Sequence, residues 1–193
     1  MAHDDKRQRI LAAATAVFAE RDFHEVRVDE VATRAGVGKG TLYLYFPTKD
    51  DLQQGALRGS LERLAAEVET AAAAEAPVDA VLRDMVVSIL RFFWRRPHLL
   101  TLVQRFEQRA PRRSRERRRR VLGAIAGVLA RHRLGGNGAA RPLAAAFLLG
   151  LARAAILEHA PGDRPETAAA RVVQCYLHGI GALTGSRRQR GAA

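Results

Sequence analysis

Val28-Asp-Glu-Val-Ala-Thr-Arg-Ala-Gly-Val-Gly-Lys-Gly-Thr-Leu-Tyr-Leu-Tyr-Phe-Pro-Thr-Lys-Asp-Asp-Leu52 is the stretch that decides how this 193-residue chain folds. Its apolar spacing predicts one short helix from about residue 28 to 35 and a second from about 38 to 45. Gly36-Val37 lies between them and supplies the sharp turn that a glycine permits. This is a helix-turn-helix spacing. Pro47 ends the second helix, and Thr48-Lys49-Asp50-Asp51 predicts a box-like start to a long helix running to about Glu75, with Thr48 capping and Asp51 at the third helical position.

Upstream, Ile10, Ala14, Val17 and Phe18 form one face of a helix expected from about Asp5 to Glu20, with Asp4 and Asp5 placed well for its N-terminal dipole. Val31, Ala32, Val37, Leu42 and Phe46 can pack the two short helices against Phe18 and Phe23. Beyond Pro77 the same 3.6-residue periodicity continues. Val78, Val81, Leu82, Met85, Ile89 and Phe93 share a face that ends before Pro97, and Leu99, Leu102, Val103 and Phe106 predict a shorter helix before Pro111. Val121, Leu122, Ile125, Val128 and Leu129 follow. A break at Gly135-Gly136-Asn137-Gly138 precedes a helix lined by Leu143, Phe147, Gly150, Leu151 and Ala154. Pro161-Gly162-Asp163 precedes the last, with Val172, Val173, Tyr176, Leu177 and Ile180. No stretch has period two. The expected class is all-α, with about nine helices: a helix-turn-helix module over 1–50, a larger helical domain over 51–185, and a disordered tail over 186–193.

Charge is unevenly distributed. The net charge is +12, yet residues 1–50 hold eight Lys/Arg and eight Asp/Glu, so the excess lies downstream, and residues 91–120 contain 12 arginines against Glu107 and Glu116. With three lysines in the chain, part of the arginine and alanine richness is compositional bias. The run Arg112 to Arg120 reads first as a solvated helix start, and secondly as a contact to DNA backbone or to an anionic effector. The longest apolar stretch, Leu143 to Ala152, has ten residues before Arg153, so no membrane span is expected. The N-terminus lacks the apolar core of a secretory signal, which places the protein in the cytoplasm. Cys175 is the single cysteine and forms no internal disulfide. No metal and no cofactor are expected, because His98, His132, His159 and His178 fall on four different helices and Cys175 with His178 provides two ligands only.

The quoted stretch closely resembles the DNA-binding region of the TetR/AcrR family of bacterial transcriptional regulators. The resemblance extends back through Phe23 and the Ala-Xaa-Xaa-Val-Phe-Ala face to Ile10, about a quarter of the chain. The remainder matches the family in length and helix count. It implies a duplex DNA partner, with Tyr43, Tyr45 and Lys49 on phosphates. The residues themselves suit that role: with Leu42 and Phe46 turned inward, Lys39, Gly40, Thr41, Tyr43 and Tyr45 are left on the exposed end and side. Gly40 allows close backbone approach, the Thr41 methyl favours a thymine, and Arg34 can reach a base or a phosphate. Arg27, Gly38 and Asp22 depart from the family's Thr or Ser, Ser and Gly. Arg27 forgoes a side-chain cap and offers a phosphate-binding charge instead.

A homodimer reading successive major grooves requires a near-palindromic operator, with half-sites about 34 to 36 Å apart or a multiple of that. Its interface is expected where Gly150 and Ala154 oppose Val173, Tyr176, Leu177 and Ile180, a pair of helices the resemblance also implies. The resemblance further implies a small-molecule effector cavity, assigned to Ile89, Phe93, His98, Leu102, Phe106, Ile125 and Phe147, whose aromatic and aliphatic lining suits a largely apolar ligand. The helix between Pro97 and Pro111 is the expected lever. The resemblance thus implies a ligand-responsive regulator, most often in that family a repressor. An enzyme would need a nucleophile with a base or paired carboxylates, and only scattered groups such as Glu107, Glu158 and Cys175 occur. The other alternative is an adaptor that binds nucleic acid or acidic surfaces without sequence preference through Arg112 to Arg120.

Overall fold

The computed structural model describes residues 2–20, 24–95, 103, 111–136 and 140–179. Among them every regular element is an α-helix: α1 (Ala2–Glu20), α2 (Val28–Ala35), α3 (Lys39–Tyr45), α4 (Lys49–Ala72), α5 (Val78–Trp94), α6 (Pro111–Arg131), α7 (Ala140–Leu157) and α8 (Pro165–His178). The all-α class holds. The expected helix over 99–106 and the tail over 186–193 lie outside the described residues, except for helical Val103, as do Asp22 and Phe23.

The chain divides into two compact units, 1–63 with 95–110 and 64–94 with 111–193, so that one boundary falls inside α4 between Arg63 and Leu64. The sequence drew this line near residue 50. The difference arises because the first turns of α4 belong to the core of the first unit, where Leu52 and Ala56 are buried with Ile10, Ala14 and Val17 of α1, Val31 and Ala32 of α2, and Leu42 of α3. Thr48 caps the start of α4 as expected. The Asp51 amide donates to Thr48 Oγ1 at 3.0 Å, and the Thr48 hydroxyl donates to Asp51 Oδ2 at 2.7 Å. At its other end α4 stops at Ala72, about a turn short of Glu75. Pro77 disfavours helical geometry at the residue before it, and the Arg131 guanidinium donates to the otherwise open Ala72 carbonyl.

In the second unit α5 packs against α6, α7 and α8. Its wide apolar face buries Val81, Leu82, Met85, Val86, Ile89 and Leu90, and Ile125, Val128 and Leu129 of α6 join the same core. Polar ties join the helices at the rim. Arg120 of α6 donates through Nε and Nη2 to the two carboxylate oxygens of Glu69 on α4, at 2.8 and 2.6 Å, and Arg91 of α5 donates to Glu166 Oε1 of α8. Each arginine's hydrogen bonds hold its partner carboxyl below the usual range. The Tyr176 hydroxyl donates to the Ala144 carbonyl at 2.8 Å, tying α8 to α7. Burial raises that phenol's pKa.

α7 differs from the other helices. One side packs within the unit through buried Ala145, Leu148 and Ala152, while Leu143, Phe147 and Leu157 are 57%, 61% and 60% exposed. By length and composition alone α7 is also apolar enough to cross a membrane, a property the ten-residue apolar stretch did not suggest.

Candidate nucleic-acid interface

The turn between α2 and α3 is built from backbone and closed by a distant side chain. Gly36 adopts φ +65°, a left-handed conformation that costs a glycine little. Its amide donates to Thr33 O at 3.1 Å and the Val37 amide donates to Ala32 O at 3.0 Å, satisfying carbonyls at the end of α2. Arg9 of α1 completes the closure. Its Nε and Nη2 donate to Ala35 O at 3.2 and 3.0 Å, and Nη2 also donates to Gly36 O at 3.0 Å. Arg9 was not among the residues singled out in the sequence, and no local signal marks it, because its partners lie 26 and 27 positions away.

On α3 the inward residues are Leu42, fully buried, and Phe46 just past its end. Steps of 100° around the helix place Gly40 and Leu44 almost opposite Leu42, with Tyr43 and Thr41 on the flanks. The exposures follow that geometry. Leu44 is 84% exposed and Tyr43 37%; Lys39 and Gly40 are exposed, and Thr41 is half-buried. Tyr45 departs from the expectation of an outward residue. It lies about 60° from Leu42 around the helix, and it packs half-buried against the core of the first unit. Leu44, absent from the expected site, lies on the outer face, as Leu42 and Phe46 on the inner face at i and i+4 imply. A Cβ built on Gly40 meets nothing within 4 Å, so no contact within the chain requires glycine there.

The cations of this surface are largely compensated. Lys39 Nζ sits 2.9 Å from Asp29 Oδ1 and 3.1 Å from Oδ2, and this hydrogen bond raises the pKa of the ammonium. Arg34 Nη1 pairs with Glu20 Oε1 at 3.1 Å. Arg27 is exposed and makes no side-chain cap at the start of α2, as its long side chain implies. Lys49 is half-buried in the first turn of α4. The result is a short helix presenting a small, partly apolar outward face, with Lys39 and Arg34 held by acids of the same module.

The other expected site residues are placed differently. Ile89 and Ile125 are buried in the core of the second unit, and Phe93 packs half-buried against it. Phe147 points outward on α7, not into that core, because the inner side of α7 is taken by Ala145, Leu148 and Ala152. His98, Leu102 and Phe106 lie outside the described residues. Of the expected interface, Gly150 and Ala154 are on the exposed side of α7, and a Cβ on Gly150 would meet open space. Val173 is corrected: at 3% exposure it belongs to the core of its own unit, since α8 lays that side against α5. Tyr176 and Leu177 are half-buried, and Ile180 lies outside the described residues. Among the described residues no group of three His, Cys, Asp or Glu is arranged to hold a metal.

Comparison with known proteins bears first on the module just described. Residues 10–56 match the family of bacterial regulatory proteins of the tetR type. The transcriptional repressor KstR of Mycolicibacterium smegmatis is 36% identical over 104 residues, covering 54% of this chain and 51% of KstR. The chain thus spans about half the length of that curated relative. Among solved structures, a TetR/AcrR-family regulator from Thermobifida fusca superposes with a TM-score of 0.73 at 22% identity, over 91% of this chain and 98% of the other. FadR of Bacillus subtilis, solved in complex with stearoyl-CoA, superposes with a TM-score of 0.65 at 20% identity, over 90% and 98%. These two likenesses show the fold over about nine-tenths of the chain.

Proposed function

We propose, for a chain that belongs to the TetR/AcrR family of bacterial regulators, that it is a homodimeric, ligand-responsive repressor bound to a near-palindromic operator. The observation that carries this is the outward face of α3, where Gly40, Tyr43 and Leu44 stand clear of the core on a helix whose angle is set by the Gly36 turn and Arg9. Such a face suits base edges in a major groove, while Arg27, Lys39, Lys49 and Tyr43 suit the flanking phosphates. Arg34 and Thr41 sit beside them. Tyr45 contributes chiefly by packing against the core of the first unit. The protein acts by binding rather than by catalysis, and a cytoplasmic location accords with a DNA partner.

The interface of the dimer is the outward side of α7, from Leu143 through Phe147, Gly150 and Ala154 to Leu157, with Leu177 at its border. An apolar stripe of that length on a surface is more economically covered than solvated, and a second copy covers it isologously. The effector is a largely apolar small molecule received by the second unit near Ile89 and Phe93. The stearoyl-CoA complex of FadR supports an effector with a long apolar portion, and the likeness to KstR, a transcriptional repressor, supports repression. Effector and DNA are then linked negatively, each weakening the other by the same factor.

The deciding experiment is selection of bound fragments from a random duplex pool at about 0.15 M salt, where nonspecific contacts are already weakened. A recovered near-palindrome supports the regulator. Recovery of no preferred sequence, from protein freed of bound small molecules by unfolding and refolding, overturns it.

A further inference from the structure

The described side chains of the arginine run of α6 fall into three environments. Arg117 is turned inward at 8% exposure. Arg120 is bound through two nitrogens to Glu69. Arg112, Arg115, Arg118 and Arg119 are exposed, and among the described residues none of these four meets a carboxylate. At 100° per residue Arg112, Arg115 and Arg119 fall within about 60° of one another, a row about 10 Å long on one side of the helix. Arg118 flanks it on one edge and exposed Glu116 on the other.

A cationic row in the opening turns of a helix opposes the helix dipole, which favours anions there. α6 has no acidic residue in its first turn to relieve it. The Arg120–Glu69 tie holds the base of the row in place. A docked polyanion would satisfy both the row and the helix end, and guanidinium matches phosphate oxygens in a two-pronged geometry that a lysine lacks. The reading module makes this need specific. Residues 1–50 have equal numbers of acids and bases, and Lys39 and Arg34 are already engaged by Asp29 and Glu20. DNA affinity at moderate salt depends heavily on neutralising phosphates, and a module without net charge contributes little of that.

We propose that the Arg112, Arg115 and Arg119 face of α6 binds the sugar-phosphate backbone of duplex DNA. This rests on the assignment of α3 as the reading helix. The two surfaces divide the work: α3 discriminates sequence, and the α6 row supplies sequence-independent attraction and most of the salt dependence.

The test titrates the full chain against two duplexes, the selected operator and a scrambled duplex of the same length, from about 0.05 to 0.2 M salt. The triple variant Arg112→Gln, Arg115→Gln, Arg119→Gln changes exposed positions and leaves the fold as judged by circular dichroism. Its log-affinity against log-salt slope is expected to fall by about 2 to 3 per protomer, equally on both duplexes, with the preference for operator unchanged. The corresponding triple lysine variant keeps most of the slope. An unchanged slope on the scrambled duplex overturns the proposal. So does loss of binding to phosphatidylserine vesicles with DNA binding intact, which would identify an acidic lipid surface as the occupant. The scrambled arm needs no operator, so failure of the α3 assignment shows separately, as a Tyr43→Ala protein that retains its operator preference.

Discussion

Lys39 Nζ lies within hydrogen-bonding distance of both carboxylate oxygens of Asp29, at 2.9 and 3.1 Å, joining the first turn of α2 to the first residue of α3. The pair orients the lysine at the edge of the outward face of α3 and at the same time offsets its charge. Its energetic weight is small, because both side chains are about half exposed. Asp29→Asn is therefore expected to leave stability little changed while tightening binding to scrambled duplex and steepening its salt dependence. Fluorescence titration of the variant checks this, and weaker binding would mean that orientation of Lys39 outweighs its charge. The sign with pH follows from the raised pKa of Lys39: the pair is intact below the ordinary lysine value of about 10.5 and is lost as pH climbs through the raised one.

Gly40 and Leu44 share the outward centre of α3. Gly40→Ala fits the open space beside it and removes a helix-destabilising glycine, so thermal stability should rise by up to about 1 kcal/mol. Operator affinity should nonetheless drop, since the added methyl stands between backbone and base edge. Leu44→Ala should leave stability unchanged, because the side chain is 84% exposed, and weaken operator binding about tenfold, or 1.4 kcal/mol. Equal affinity for operator in both variants would move the reading face elsewhere on the module.

Thr48 closes the start of α4 with a reciprocal pair of bonds to Asp51. Thr48→Ala should cost about 0.5 to 2 kcal/mol in urea denaturation. Thr48→Ser, which keeps the oxygen acceptor, should recover most of that loss.

Glu166 tests the acid side. Its carboxyl titrates below the ordinary glutamate range, chiefly through its hydrogen bond from Arg91. Its contribution is present above about pH 4.5 and disappears as pH falls through the depressed value. A Glu166→Gln protein is expected to melt lower than the parent at pH 7 and to converge on it in acid. Parallel melting curves at every pH would show that the pair does not contribute.

Phe147 stands 61% exposed in the apolar stripe of α7, where a charge disturbs nothing in a single chain. Phe147→Glu should yield a folded monomer in sedimentation velocity, with operator affinity falling sharply because two half-sites no longer act together. A dimer that survives this change has its interface on another surface.

The amino-acid order alone determined the features that depend on neighbours within a few positions. The 3.6-residue periodicity marked the helices, Gly36 the turn, Thr48 with Asp51 the cap, and Leu42 with Phe46 the inner side of α3. Each is set by local backbone geometry and short-range hydrogen bonds, which is why they survive into the folded chain. Only the tertiary structure decided which apolar faces are covered and which charges are used. Tyr43 and Tyr45 look equivalent along the chain, yet the core of the first unit half-buries Tyr45. Val173 and Phe147 both lie on helices with an apolar side, and packing turns one inward and the other outward. Arg9 acquires its role from carbonyls 26 and 27 residues away, and the arginines of α6 separate into buried, tethered and exposed because other helices occupy two of its sides. Periodicity states that a face will be buried; the identity of what buries it depends on contacts far apart in the chain.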